Sequence, residues 1–213
     1  MKKLILLGFL IIISCNSKES TTYEEMKSDK LMSEHFLDSE LKDLAKIVDF
    51  FESEIHHDNV KTKEEVYHSF NKNTIEEFVK EIKGFQIPLS FIEQKKMYRK
   101  IDSSFFKEIW VHPSFYLGKD YKNKITQKHY DLNQFGKYAM FLKSLENEDK
   151  LFKYFYKMLS VSNETSIAIL SSAFSRLKMK EFKGVKRRLF FAIYYLTVND
   201  KLNNYTSRKT LKQ

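Results

Sequence analysis

Apolar residues recur at alternating three- and four-residue intervals along most of this chain, and that spacing predicts helices. The clearest case is residues 39–55. Leu41, Leu44, Val48, Phe51 and Ile55 fall on one face, and Ile47 and Phe50 widen it. Asp38 or Ser39 is placed to cap its start. Three capping boxes then recur: Thr62 with Glu65, Thr74 with Glu77, and Ser90 with Glu93. In each, a hydroxyl and a carboxylate satisfy two orphan amides at a helix start. They predict helices over 63–70, 75–83 and 91–101, with Gly84 and Pro88 separating the last two.

Residues 105–118 interrupt the pattern with a dense aromatic stretch. A helical turn is expected to end near Val111, because the residue before Pro113 is pushed out of helical geometry. Trp110, Phe115 and Tyr116 then read either as a loop packed over the bundle or as an aromatic contact surface for a protein ligand. Helical spacing returns with Leu132, Phe135, Ala139, Leu142 and Leu145, and again with Leu151, Phe152, Phe155 and Leu159. Asn163 is placed to cap a further helix with Ile167, Leu170, Phe174 and Leu177 inward. The last helix is predicted over 185–203. Its residues 189–198 are apolar all round apart from tyrosine hydroxyls and Thr197, which predicts a central helix buried on most sides. The fold expected is an all-α, single-domain bundle of seven or eight helices over residues 38–205, followed by a basic tail at 206–213.

The first 15 residues obey a different rule. Lys2 and Lys3 precede an apolar run over residues 4–13, and Ser14 leads into Cys15, the one cysteine of the chain. A charged start, a short apolar core and a small residue before the cut form a secretory signal. The core is too short for a span, which needs about 20 residues. Ile12 and Ser14 before Cys15 form a lipobox, so residues 1–14 are expected to be removed and Cys15 acylated. Two or more acyl chains hold a protein stably, at about 0.8 kcal/mol per buried methylene. Residues 15–37 are then expected to be a flexible tether holding the domain near a membrane.

Composition changes the picture in two ways. With no second cysteine, no disulfide holds the mature chain, so packing must, and 19 Phe and 12 Tyr supply area for it. The formal charge of +9 falls to +7 once Lys2 and Lys3 are removed, favouring anionic partners. Heavy use of Lys, Asn, Ile, Phe and Tyr is the composition of an AT-rich genome, so part of that charge reflects codon usage. The charge does concentrate once. Arg176, Lys180, Lys183 and Arg187 are spaced four, three and four apart, and one continuous helix would align them. That face could bind a glycosaminoglycan or anionic lipid, or be ordinary solvated surface. Gly184 falls inside it and could break the helix.

No phosphate-cradling glycine loop, nucleophile elbow or Cys-x-x-Cys is present, and no His pair has i, i+4 spacing. His56 and His57 are adjacent and diverge on a helix. Glu64-Glu65 and Glu76-Glu77 sit in expected first turns, where they complement the dipole. The sequence therefore gives no catalytic residue, no metal site and no cofactor, and an enzyme is not expected.

The lipobox, the Lys/Asn/Phe-rich helical body and three tracts, 105–116, 141–156 and 166–200, resemble the plasmid-encoded surface lipoproteins of Lyme-disease spirochaetes (Borrelia). The nearest likeness is to the virulent-strain-associated lipoprotein family. The resemblance implies attachment to the outer membrane, exposure at the cell surface and a role at the host interface. It brings no catalytic residues. Its expected partners are the membrane, through acyl chains on Cys15, and a host protein or glycosaminoglycan. Nucleic acid fits the charge but not the compartment. The alternative is a periplasm-facing structural lipoprotein that maintains the envelope.

Overall fold

The computed structural model describes residues 20–56, 62–81, 84–117, 123–162 and 173–206. The fold is all-α. Among the described residues it has nine α-helices: α1 (Thr21–Ser28), α2 (Lys30–His35), α3 (Asp38–Ile55), α4 (Lys63–Lys80), α5 (Phe91–Tyr98), α6 (Ser103–Ile109), α7 (Lys137–Ser144), α8 (Lys150–Ser162) and α9 (Val185–Thr206). A short 3-10 helix, Met179–Phe182, precedes α9.

Helix α9 is the axis of the core. Every residue from 189 to 200 is buried. Helices α1, α3 and α5 pack on it. Phe51 of α3 stacks on Tyr195 at 5.9 Å, and Phe155 of α8 meets Phe190 edge-on at 4.7 Å. Most polar groups buried around it are bonded in turn, the Thr74 and Tyr138 hydroxyls excepted. Trp110 donates its indole N–H to Thr197 Oγ1 at 2.8 Å, and Tyr195 donates its hydroxyl to Asn71 Oδ1 at 2.6 Å. Gln94 donates to the Leu196 carbonyl at 2.8 Å and accepts from Asn199 at 2.8 Å. Unpaired, each such group would cost about 1–3 kcal/mol.

Several sequence expectations change. Cys15 and residues 16–19 lie outside the described residues, but residues 21–35 of the expected tether are α1 and α2. Ser20 caps α1 through the amides of Thr22 and Tyr23, and Asp29 caps α2 through Met32. Tyr23, Met26, Met32 and Phe36 are buried, so this strap is part of the domain. Apolar side chains like these contribute about 1.5–3 kcal/mol each on full burial, enough to hold a polar segment down.

Thr74 and Glu77 start no helix. Residues 63–80 form one uninterrupted helix, begun by the Thr62–Glu65 box, and Thr74 is buried in its interior. The helix expected from Leu132 begins only at Lys137. Asp131–Leu132 is instead β4, which pairs antiparallel with β1 (Trp110–Val111), and Phe135 stands exposed in the connection. Gly136 sits where a Cβ would lie 2.3 Å from the Glu108 carbonyl oxygen, so only glycine lets α7 approach α6 this closely. A second ladder joins β2 (Ser114–Leu117) to β3 (Asn123–Thr126), with Phe115 opposite Ile125 and Tyr116 opposite Lys124. Asn163, Ile167 and Leu170 lie outside the described residues.

Candidate ligand-binding cleft

The candidate site is built by the turn from α5 into α6. Ser90 starts α5, its hydroxyl accepting from the Glu93 amide at 3.3 Å, and its own amide donates to Glu54 of α3 at 2.9 Å. Four residues past the end of α5, the Asp102 carboxylate caps α6 through the amides of Ser104 and Phe105. The Ser104 hydroxyl and those two amides hold the Asp102 carboxyl below its usual range. The Asp102 amide in turn donates to Asp43 of α3 at 2.9 Å. The corner is thus fixed to α3 from both sides.

A cleft of about 510 Å³ opens at this corner, lined by Lys95, Tyr98, Arg99, Ile101, Ser103, Phe106, Lys107 and Tyr130. Its floor is aromatic. Tyr98 meets Phe106 at 5.1 Å, Phe106 meets Tyr130 at 4.9 Å, and Trp110 backs both Tyr98 (4.9 Å) and Phe106 (5.1 Å). His112 stacks on Tyr130 at 4.0 Å. Its rim is cationic. Lys95 is in the last turn of α5, Arg99 caps its C-terminus, and Lys107 comes from α6. All three are exposed, and none has a carboxylate within 4.0 Å among the described residues. Lys95 lies over the Phe91 ring at 4.7 Å.

Behind the floor lies Asp200, buried, accepting from the Tyr130 amide at 2.8 Å and from Asn204 at 3.0 Å. Burial raises its carboxyl to about pH 6 against those bonds and against the more distant charges of His112 and Lys95. Burial, with the Asp200 charge second, holds the Tyr98 hydroxyl far above the usual phenol range. The Tyr98 hydroxyl is therefore neutral at physiological pH, while Asp200 behind it is ionised there and offsets part of the field of the three rim cations. An aromatic floor under a cationic rim suits an anion that also carries an apolar face.

Compared with known proteins, the chain matches no family model, no curated protein and no solved structure. The site must be read from its own geometry.

The residues singled out in the sequence do not assemble as expected. Trp110 is fully buried and cannot be a surface contact. Phe115 and Tyr116 are in β2, away from Trp110 in the ladder; their side chains lie outside the described residues. The basic face is divided. Arg176 is in a turn, Lys180 in the 3-10 helix, Lys183 in a loop and Arg187 in α9, with Gly184 at φ +88° between the last two. That φ is in the left-handed region, which ends the alignment and favours glycine. Arg187 faces inward, donating to the Glu181 carbonyl at 2.8 Å, pairing with Asp149 and covering the Phe152 ring at 5.8 Å. Arg176, Lys180 and Lys183 remain exposed but share no helix face.

Two other hollows are weaker candidates. In one, beside the start of α7, His35, Glu40 and Glu108 are all bonded to Lys137. The other, of about 310 Å³ between Phe70 and Phe85, is lined by Glu77 and Glu81 and carries no cation. The α5–α6 cleft did leave a sequence signal that spacing analysis passed over. Residues 94–101 carry Lys95, Lys96, Arg99 and Lys100 with no acid among them. Its aromatic partners come from α6 and from Tyr130, and only the fold brings those in.

Proposed function

We propose that the chain is a lipid-anchored binding protein of a bacterial outer surface, without catalytic activity, that engages a host macromolecule. The anchoring half rests on Cys15 behind its lipobox and on the resemblance to Borrelia surface lipoproteins. No helix among the described residues is long and apolar enough to cross a membrane. The binding half rests on one observation: three cations with no ion-pair partner among the described residues ring an aromatic floor in the α5–α6 cleft. Among the described residues, other exposed cations such as Arg176, Lys180 and Lys183 share no aromatic-floored hollow; these three do.

The test has two arms in the native cell. Wild-type protein takes up labelled palmitate and partitions with membranes, and Cys15→Ala does neither. Protease added to intact cells removes the protein. An unlabelled wild type would overturn the anchor. Labelled protein that survives protease until the outer membrane is permeabilised would favour the periplasm-facing envelope lipoprotein instead.

A further inference from the structure

We propose that the α5–α6 cleft takes a sulfated saccharide, with one sugar ring laid on the Tyr98–Phe106–Tyr130 floor and its sulfates held by Lys95, Arg99 and Lys107. This rests on the reading of that cleft as a binding site. The cations stand on two walls, Lys95 and Arg99 at the C-terminal end of α5 and Lys107 on α6, so they bracket the floor. A sulfated sugar has matching chemistry, with anionic groups at the edges of a ring whose C–H face is apolar. The cleft volume of about 510 Å³ suits a short saccharide unit within a longer chain. A lipid phosphate would use the rim and leave the floor bare. Single-stranded nucleic acid stacks successive bases on open ring faces along a groove. Here Tyr98 and Phe106 meet at 71° and Phe106 and Tyr130 at 75°, so the floor offers room for one ring and no row of parallel faces. The buried Trp110 and its bond to Thr197 make this floor rigid, so little ordering accompanies binding.

The purified full chain in neutral detergent is titrated calorimetrically with a heparin-derived hexasaccharide at several salt concentrations. Lys95→Gln/Arg99→Gln/Lys107→Gln weakens binding by at least about tenfold and flattens its salt dependence, since each cation near an anionic surface contributes about 1 kcal/mol. Arg176→Gln/Lys180→Gln/Lys183→Gln, which removes equal charge elsewhere, changes affinity by less than about twofold, as expected for charges beyond a Debye length of about 8 Å. Tyr130→Leu weakens binding at unchanged salt dependence, and Phe106→Leu gives a second reading of the floor should Tyr130→Leu lose its near-ultraviolet dichroism. Equal losses from the two charge variants would overturn the proposal. So would wild-type affinity in both folded floor variants, or tighter cleft-dependent binding of anionic vesicles or of an oligonucleotide. A protein that binds the hexasaccharide through the cleft yet takes up no palmitate would overturn the anchor and leave this site standing. A labelled, protease-sensitive protein that ignores the hexasaccharide would do the reverse.

Discussion

The two ends of α9 treat charge in opposite ways. At its start, Lys186, Arg187 and Arg188 form a basic run, and each meets acids from distant segments. Lys186 pairs with Asp29 at 3.3 Å and Glu148 at 2.9 Å, and Arg187 with Asp149. Arg188 is buried against Glu25 of α1 and Glu52 of α3, and Lys63 bridges the same two carboxylates at 3.7 and 3.2 Å. Near its end the picture changes. Lys201 still pairs with buried Asp131 at 3.3 Å, but among the described residues the neighbouring Asp200 is buried with no cation within 4.0 Å, and Lys95, Arg99 and Lys107 stand without an ion-pair partner around the cleft it backs. The first region uses its charges as struts that fasten the N-terminal strap. Around the cleft, Asp200 and the three rim cations are held apart, which is less favourable for stability and is what a binding site requires.

The largest expected effect tests the struts. Arg188→Gln removes a guanidinium whose side chain is 4% exposed and leaves two carboxylates facing a neutral amide. Breaking a buried pair costs about 3–5 kcal/mol. The loss here should fall near the low end, about 3 kcal/mol, because Lys63 still holds both acids. Urea unfolding followed by helical dichroism measures it, and limited proteolysis should cut first within α1–α2. A loss below about 0.5 kcal/mol would mean that the run is ordinary solvated surface after all, and the contrast between the two ends would collapse.

How much of this was legible depended on how local the cause was. Helix α3 and the buried run of α9 follow from spacing alone, because their apolar faces are complete within single segments. The Thr62 and Ser90 caps follow because a cap is a four-residue matter. The strap was not legible. Tyr23, Met26, Met32 and Phe36 are too sparse to mark a helix, and their burial depends on α3 and on Arg188 far along the chain. Asp131–Leu132 read as a helix start because Leu132 continues a helical spacing, yet its partner strand lies more than twenty residues earlier. The basic face failed because spacing assumes one helix. It does not say that Gly184 will divide the segment, or that Asp149 will meet Arg187. The cleft was half legible, as an acid-free cationic run without its aromatic floor.

The next effect is smaller and of opposite sign. Asp200 has its carboxyl raised from 3.8 to about 6 by burial. Below pH 3.8 both folded and unfolded chains hold the proton. Between 3.8 and about 6 the folded state holds more of it, so stability falls as pH rises, and above 6 the loss is complete. Asp200→Asn should remove that penalty. Both the Tyr130 amide and the Asn204 amide bond to Oδ1, which asparagine keeps. A shift of about two units corresponds to roughly 3 kcal/mol; the new amide hydrogens need partners, so a gain of about 2 kcal/mol at pH 7 is expected. Denaturation midpoints at pH 4, 5, 6 and 7 should fall with pH for wild type relative to the variant and converge at pH 4. A variant less stable than wild type at pH 7 would show that Asp200 is a strut like Glu52, and the two ends would no longer differ.

The smallest expected effect is on stability at the cleft itself, and it is the sharpest test because it predicts nearly nothing. Lys95→Gln/Arg99→Gln/Lys107→Gln removes three charges, as many as the basic run of α9 contains. Two local terms oppose each other. Neutralising like charges around one cleft relieves repulsion. Against that, Lys95 and Lys107 sit in the last turns of their helices and Arg99 just beyond, where each cation gains a few tenths of a kcal/mol from the dipole, about 0.3 or more when exposed. With no carboxylate left behind, the net change should stay within about 0.5 kcal/mol. Raising salt should shrink it further, since both terms act between exposed charges. Thermal melts in low and high salt measure this directly. A loss comparable to Arg188→Gln would reveal an acid partner for these cations, and the cleft would then be a strut under another name. Near-zero loss, in the same variant that loses hexasaccharide binding, would separate the two kinds of basic cluster cleanly: one holds the fold together, and the other is displayed by it.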